Sequence, residues 1–215
     1  MQDLGSLLEQ ASARHSHLCP RQVLGVRMAL AGAGLLGFDL PRSDKGMLVI
    51  AETDGCFFDG LEVATGVTPG HRTLRIEDYG KIAATFVEAH SGRAIRLAPR
   101  SNVREQAYRY APGEDRHYFA QLNGYQVMPD GELFTASWVS LSPSVDQIIS
   151  RAGVRTQCKS CGEEIINQRE VLVAGEPFCR ACSGQAYYGL QFPAEVLHPK
   201  KVGVELHVNP YKSDF

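Results

Sequence analysis

Four cysteines in the carboxyl-terminal part of the chain have the spacing of a metal-binding ribbon. They form two C-x2-C pairs, which residues 162–178 separate. Two residues between paired thiols allow both sulfurs to face one ion, and two such pairs complete a tetrahedron of ligands. The pattern predicts a structural zinc site, with rubredoxin-type iron or a redox pair as the alternatives. The predicted ligands are Cys158, Cys161, Cys179 and Cys182.

A second group of potential ligands lies in the sequence HSHLCP at residues 15–20. If this stretch is extended, the side chains of His15, His17 and Cys19 project to the same side, because side chains alternate along a strand. Pro20 is typical of the first position of a helix, which makes Cys19 the predicted N-cap. A helix amino terminus favours a thiolate there.

Cys56 offers a further thiol. Thr53 or Asp54 is the predicted N-cap of its helix, so Cys56 falls in the first turn and has the same electrostatic bias. Two helix starts that each present a sulfur would suit zinc or another transition metal. Asp59 could be a carboxylate ligand, a partner of a ligand or a base, and His71 is a further candidate. The alternative is that these thiols are small buried hydrophobic side chains.

The elements that must position these residues are mostly helical in this part of the chain. A short amphipathic helix is predicted from Leu4 to Ala11, and a longer one from residue 20 to about residue 37. A buried strand from Gly46 and a third helix that ends at Gly66 follow. Each glycine inside a helix costs about 1 kcal/mol relative to alanine, so a cluster of small residues indicates that another backbone packs closely. That cluster is Gly25, Ala29 and Gly32.

The rest of the amino-terminal part favours a sheet. RTLRI, KIAATFVEA and RAIRLA are β-rich and separated by glycine-containing turns, which predicts an antiparallel arrangement, and LFTASWVSL is a further candidate strand. SNVREQAYRYA and EDRHYFAQLNGYQVM have helical patterns. The prediction is an α+β domain over residues 1–150, with helices packed on an antiparallel sheet. A zinc ribbon at 151–190, whose hairpin turns at Gly175, and an extension at 191–215 follow.

Composition and charge exclude several classes of partner. Lys and Arg number 22 against 24 Asp and Glu, a formal net charge of −2, which gives no attraction to phosphate backbones or anionic membranes. The amino terminus lacks the pattern of a signal peptide, and the apolar stretches are too short to span a bilayer. A cytoplasmic protein that binds neither nucleic acid nor membrane is therefore expected. In the cytosol its cysteines would be thiols or metal ligands.

Three stretches in this order resemble the family of the formylmethanofuran dehydrogenase E subunit. They are RHSHLCPRQVLGVRMA, AETDGCFFDGLEVATGVTPGHRTLRIEDYGKIAATF and the four-cysteine ribbon. The resemblance implies an α+β domain with a metal site, followed by a treble-clef-like zinc ribbon. It also implies an association with molybdenum or tungsten pterin dehydrogenases of one-carbon metabolism. By motif position, the metal ligands would be His17, Cys19 and Cys56, with His15 nearby.

The chain departs from the family pattern at three positions. Ser16 replaces the glycine of an H-G-H motif, and Arg21 replaces a glycine after the Cys-Pro pair. Val67 stands where the family commonly has a cysteine, so this chain offers two thiols where the pattern has three. Gly80 and Lys81 fall in the D-Y-G-K piece of the resemblance.

Two functions follow as hypotheses. The first is a metal-binding accessory protein beside a molybdenum or tungsten oxidoreductase. The second is a metal-dependent enzyme in which the His/Cys site keeps one coordination position open. Zinc with three protein ligands lowers the pKa of its bound water to about 7, and Asp59 or His71 would move the proton. A regulator that uses the ribbon to reach a polymerase or DNA is a third hypothesis, against which the balanced charge counts.

Two further patterns concern ligands and assembly. Interleaved arginines and tyrosines between residues 104 and 118 could hold an anionic cofactor or be a solvated helix face. The sequence VGVELHV near the carboxyl terminus alternates like an edge strand, which favours pairing with a second copy and predicts a homodimer. The interleaved residues are Arg104, Arg109 and Arg116 with Tyr108, Tyr110 and Tyr118.

Overall fold

The computed structural model describes residues 3–149 and 151–189. By its internal contacts the chain divides into two compact units, Met1–Ser150 and Arg151–Phe215. The predicted extension at 191–215, with its edge strand, lies outside the described residues. No helix within the described ranges is long and apolar enough to cross a membrane.

The first unit contains a five-stranded mixed sheet in the order β2-β1-β3-β4-β5. Strands β1 and β2 are parallel, with Val49 opposite Leu74, and the other neighbours are antiparallel. The expectation of a purely antiparallel sheet is therefore wrong at one pair. A helix connects β1 to β2, which is the connection that parallel neighbours require. The strands are β1 (Met47–Ala51), β2 (Leu74–Ile76), β3 (Ala84–Glu88), β4 (Ala94–Pro99) and β5 (Phe134–Val139).

Helices cover this sheet, as the α+β prediction requires. Their apolar residues and the sheet form one core that contains the fully buried Phe57, Phe86 and Tyr125. The predicted helical segment after residue 100 is a short helix that continues as a 3₁₀ turn, Ala107–Tyr110. The helices are α1 (Leu4–Ser12), α2 (Pro20–Leu36), α3 (Cys56–Thr65), α4 (Val103–Gln106), α5 (His117–Val127), α6 (Asp130–Leu133) and α7 (Val145–Ile149).

The described part of the second unit consists of two small hairpins. Gly175 has φ 83° in the turn of the second hairpin, as predicted, and Gly162 has φ 74° after the first cysteine pair. The hairpins are followed by a short helical turn at Ala181–Gln185. The strands are β6 (Arg155–Gln157) paired with β7 (Glu164–Ile166), and β8 (Val171–Val173) paired with β9 (Glu176–Phe178).

Helices α2 and α3 cross with their backbones in contact. A Cβ atom on Gly25 would lie 2.3 Å from the carbonyl oxygen of Phe57, and one on Gly60 would lie 2.4 Å from that of Gln22. The predicted close approach at Gly25 is thus confirmed. At Gly32 the neighbour is instead an aromatic ring, 2.3 Å from the position of a Cβ. Because α2 and α3 cross close to their amino termini, the two helix starts lie near each other.

A buried ion pair fixes the end of β1. Glu52 is 6% exposed, and its carboxylate accepts hydrogen bonds from Arg96 of β4 at 2.5 and 2.7 Å. This contact with Glu52 raises the pKa of the Arg96 guanidinium. The carbonyl oxygen of Glu52 also accepts from the amides of Tyr79 and Lys81, at 3.0 and 3.1 Å. The pair and these two bonds hold the loop before β3 against the sheet.

Replacing Arg96 with methionine is expected to lower the free energy of unfolding by about 2–3 kcal/mol. Breaking a buried pair leaves an uncompensated charge, and the partial exposure of Arg96 reduces the cost. Urea denaturation measures it. The control Arg93→Met breaks a more exposed pair with Glu88 and is expected to cost less than about 1 kcal/mol. Equal losses in the two variants would refute the assigned role of the Glu52–Arg96 pair.

Candidate functional site

The four cysteines of the second unit form one cluster. Their sulfur atoms all lie within 4.8 Å of one another. In the described parts of the chain, no other group of three or more His, Cys, Asp or Glu residues is gathered in this way. Four soft thiol ligands in this arrangement could hold a metal ion and fit the predicted zinc.

Backbone contacts assemble this cluster from the two hairpins. The amide of Lys159, inside the first cysteine pair, donates to the carbonyl oxygen of Pro177 in β9 at 2.8 Å. The sulfur of Cys158 accepts from the amide of Cys179 at 3.3 Å. Amide donors, first that of Cys161 and then that of Cys179, lower the pKa of Cys158 to about 6. Such donors favour the thiolate that a metal binds.

In the first unit, the helix starts bring Cys19 and Cys56 together. Cys19 is the N-cap of α2, as predicted, and its amide donates to the side chain of Gln22 at 2.9 Å. Gln22 is fully buried and also donates to the carbonyl oxygen of Ala11 at 2.6 Å, which fixes the start of α2 against the end of α1. The Cys19 thiol is a hydrogen-bonding neighbour of Cys56.

Cys56 is the first residue of α3, but the predicted cap is wrong. The N-cap is Gly55 rather than Thr53 or Asp54, and its φ of 72° with ψ of −155° is a conformation that favours glycine. Burial raises the pKa of the Cys56 thiol, and the neighbouring Cys19 raises it further. The expected thiolate bias at Cys56 is therefore outweighed by desolvation, although its predicted position in the first turn is confirmed.

The histidines of HSHLCP do not join the two thiols in this structure. Residues 15–17 form a bend, so the expectation of an extended segment is wrong. His15 Nε2 lies 2.5 Å from Asp59 Oδ2, and His17 Nδ1 lies 3.0 Å from the hydroxyl of Ser16. Asp59 thus acts as a partner of His15. The assignment of His15 and His17 as metal ligands stays a prediction.

The two thiols line a cavity of about 760 Å³. Its walls come from the starts of α2 and α3, the loop before β3, the segment from the end of β4 into α4, and one side of α5. Tyr118 of α5 lines it and donates its hydroxyl to the carbonyl oxygen of Leu18 at 3.0 Å. Burial raises the pKa of Tyr118, and the nearby thiols of Cys19 and Cys56 add to this shift. The volume is within the range of small-molecule sites.

Several residues of this cavity were not identified from the sequence pattern. Arg21, Lys81 and Arg100 line it together with Arg104, whereas Arg109 and Arg116 do not. No short-range spacing joins these residues, because three different parts of the chain supply them. Val67, where the family commonly has a cysteine, is 1% exposed in the hydrophobic core and is not part of the lining.

Residues 14–135 match the model of the family FmdE, described as "Molybdenum formylmethanofuran dehydrogenase operon". The match covers more than half of the chain. The protein belongs to the FmdE family. This confirms the family resemblance of its sequence motifs.

Two proteins similar to this FmdE-family chain are informative. A "Probable S-adenosyl-L-methionine-binding protein" of Archaeoglobus fulgidus is 28% identical over 208 residues. The alignment covers 86% of this chain and 54% of that protein, so the chain spans about half the length of its curated relative. The second is the crystal structure of an FmdE-like protein of tungsten formylmethanofuran dehydrogenase from Syntrophus aciditrophicus. It has a TM-score of 0.55 and 18% identity, and it covers 87% of this chain and 95% of that one. This similarity supports the α+β fold alone.

Proposed function

We propose that this FmdE-family protein is a metal-binding accessory protein that acts with a molybdenum or tungsten formylmethanofuran dehydrogenase in one-carbon metabolism. Membership of the family supports the association with formylmethanofuran dehydrogenase. The observation that carries the metal-binding role is the pair of thiols, Cys19 and Cys56, at the wall of a cavity. Thiols are the donors that zinc and other soft or borderline transition metals prefer.

The thiol pair would be completed by a nearby imidazole. His17 is two residues from Cys19 and exposed, and His15 is held by an exposed contact with Asp59. A small change in the bend at residues 15–17 would bring one imidazole toward the sulfurs. Because that bend lies outside α1 and α2, it can move without disturbing the helix crossing. In this proposal the ribbon holds a separate structural zinc.

The second candidate is a metal-dependent enzyme, which the cavity beside the thiols favours. Asp59 and His71 were the predicted proton carriers, and neither lines the cavity. Asp59 instead contacts His15 and lies 3.8 Å from Arg14, and His71 is in an exposed loop. These positions favour the accessory role. An open coordination position detected spectroscopically in the cobalt-substituted protein, together with turnover of a substrate, would support the enzyme instead.

The wild-type protein is expected to contain two metal equivalents per chain, and Cys19→Ser or Cys56→Ser one. The reason is that one thiol is a poor site for a transition metal, whereas the ribbon keeps all four ligands. Elemental analysis of protein purified without added metal provides the measurement. A ribbon variant, Cys161→Ser, is expected to lose the other equivalent.

Ser101→Ala is the matched control, because this residue lines the cavity without a thiol. It is expected to keep both equivalents. One equivalent in the wild type would refute the second metal site. Association is tested separately by mixing the protein with purified formylmethanofuran dehydrogenase, and the absence of a complex in gel filtration would refute the accessory role. The predicted homodimer and cytoplasmic location stay predictions, and the same column reports the oligomeric state.

A further inference from the structure

The charged residues of the cavity are all of one sign. Its lining includes Arg21, Lys81, Arg100 and Arg104, and no aspartate or glutamate. The protein as a whole has a formal net charge of −2, so this concentration of positive charge is local. A concave wall of one sign focuses its field and attracts ligands of the opposite sign.

These four cations differ from most other arginines of the first unit in their pairing. Arg14, Arg27, Arg42, Arg93, Arg96 and Arg116 each have a carboxylate partner within 4.0 Å. Among the described residues, no ion pair involves any of the four cationic residues of the cavity wall. Their charge is therefore not neutralised by the protein.

Backbone contacts hold two of these cations in place. The amide of Lys81 donates to the carbonyl oxygen of Glu52, and the preceding Gly80 has φ 65°, so the loop turns sharply beside the cavity. The amide of Arg100 donates to the carbonyl oxygen of Leu133 at 3.0 Å. Its Nε also donates to the carbonyl oxygen of Gly131 at 2.8 Å. Fixed donors lower the entropic cost of binding a ligand.

The remaining wall suits an organic body. Leu24, Ile82 and Val103 provide apolar surface, and Tyr118 and Tyr125 provide aromatic rings. A volume of about 760 Å³ is far larger than a single inorganic anion needs. Guanidinium groups bind phosphate and carboxylate oxygens through paired hydrogen bonds.

We infer that this cavity binds a multiply charged oxyanionic small molecule, one with an organic body and a diphosphate or a cluster of carboxylates. The inference adds a ligand class to the site of the proposed function. It rests on that proposal only in placing the anion beside the thiol pair. The lack of carboxylates and the presence of several cations do not favour S-adenosylmethionine, which has a positive net charge.

Calorimetric titration of the full chain tests this inference, with pyrophosphate as the phosphate probe and citrate as the carboxylate probe. At least one of them is expected to bind saturably at one equivalent per chain, with an affinity that falls as salt is added. Lys81→Gln/Arg104→Gln is expected to weaken binding by about tenfold or more, because it removes two charge-assisted contacts. The probe that binds more tightly identifies the anionic group.

The matched control is Lys45→Gln/Arg109→Gln. It removes one lysine and one arginine, as the cavity variant does, but from exposed positions that do not line the cavity. It is expected to bind within about twofold of the wild type, since distant surface charges are screened. Equal weakening by the two variants, or no saturable binding of either probe to the wild type, would overturn the inference. Circular dichroism checks the fold, and single substitutions replace a pair that does not fold.

A bound metal could also attract these probes, so the titration is repeated with Cys19→Ser. Binding that persists in this variant supports the cationic wall, whatever its metal content. Binding that is lost in Cys19→Ser but kept in Lys81→Gln/Arg104→Gln would assign the anion to the metal and overturn the inference. Metal analysis of each variant separates the two proposals, because the lysine and arginine substitutions leave all six cysteines in place.

Discussion

Replacing Cys158 with alanine is expected to abolish metal binding by the ribbon and to unfold residues 151–189. In the described part of the second unit, the only residues below 9% exposure are Cys158 and Ile165. So small a core cannot offset the loss of conformational entropy on folding. Structural zinc contributes about 10–16 kcal/mol in ribbons and fingers of this size. Loss of protection of the amides of β6–β9 from hydrogen exchange measures the unfolding.

The ribbon prediction also has a pH dependence. Protons compete with the metal for the four thiolates, so metal affinity is expected to fall as pH is lowered. Lys159→Ala is the control, because it lies between two ligands but its exposed side chain supplies none. It is expected to retain the metal and the amide protection. If Cys158→Ala kept its protected amides in the presence of a chelator, the ribbon would not depend on metal.

Local patterns account for the parts of this structure that the sequence predicted. The C-x2-C spacing places two sulfurs within one turn of chain, so no distant contact is needed to recognise the pair. Pro20 limits where α2 can begin, and this placed Cys19 at the helix start. The small residues of α2 indicated a close crossing because a glycine inside a helix has a cost that only packing explains.

Distant contacts account for what the sequence could not predict. His15 binds Asp59, which lies 44 positions further along the chain. This contact takes an imidazole that the period-two pattern assigned to the metal. The cap of α3 was misplaced because Thr and Asp are strong capping residues, whereas the fold uses the positive φ of Gly55.

The cavity shows the same limit in its charge. Overall composition gave no reason to expect an anionic ligand, because the counts of acidic and basic residues nearly cancel. The topology places Arg21, Lys81 and Arg100 around one space, although each belongs to a different element. Charge patterning along the chain cannot reveal this grouping, since the sheet and the crossing of α2 with α3 create it.

Replacing Gly60 with alanine is expected to destabilise the first unit by about 3 kcal/mol and to remove the proposed second metal equivalent. The added Cβ would lie 2.4 Å from the carbonyl oxygen of Gln22 and 3.0 Å from the amide nitrogen of Val26. Backbone atoms cannot rotate away as a side chain can, so α2 and α3 must separate. Separation of the helix starts would move Cys19 away from Cys56. Urea denaturation and elemental analysis measure the two effects.

Gly34→Ala is the matched control for the helix crossing. Gly34 is an exposed glycine inside α2, and an added Cβ would meet no atom within 4 Å. Alanine is favoured over glycine in a helix, so this variant is expected to be more stable by up to about 1 kcal/mol, with its metal content unchanged. The two substitutions add the same methyl group, and only one adds it at the crossing. If Gly60→Ala behaved like Gly34→Ala, the thiols would not depend on the close contact of α2 with α3.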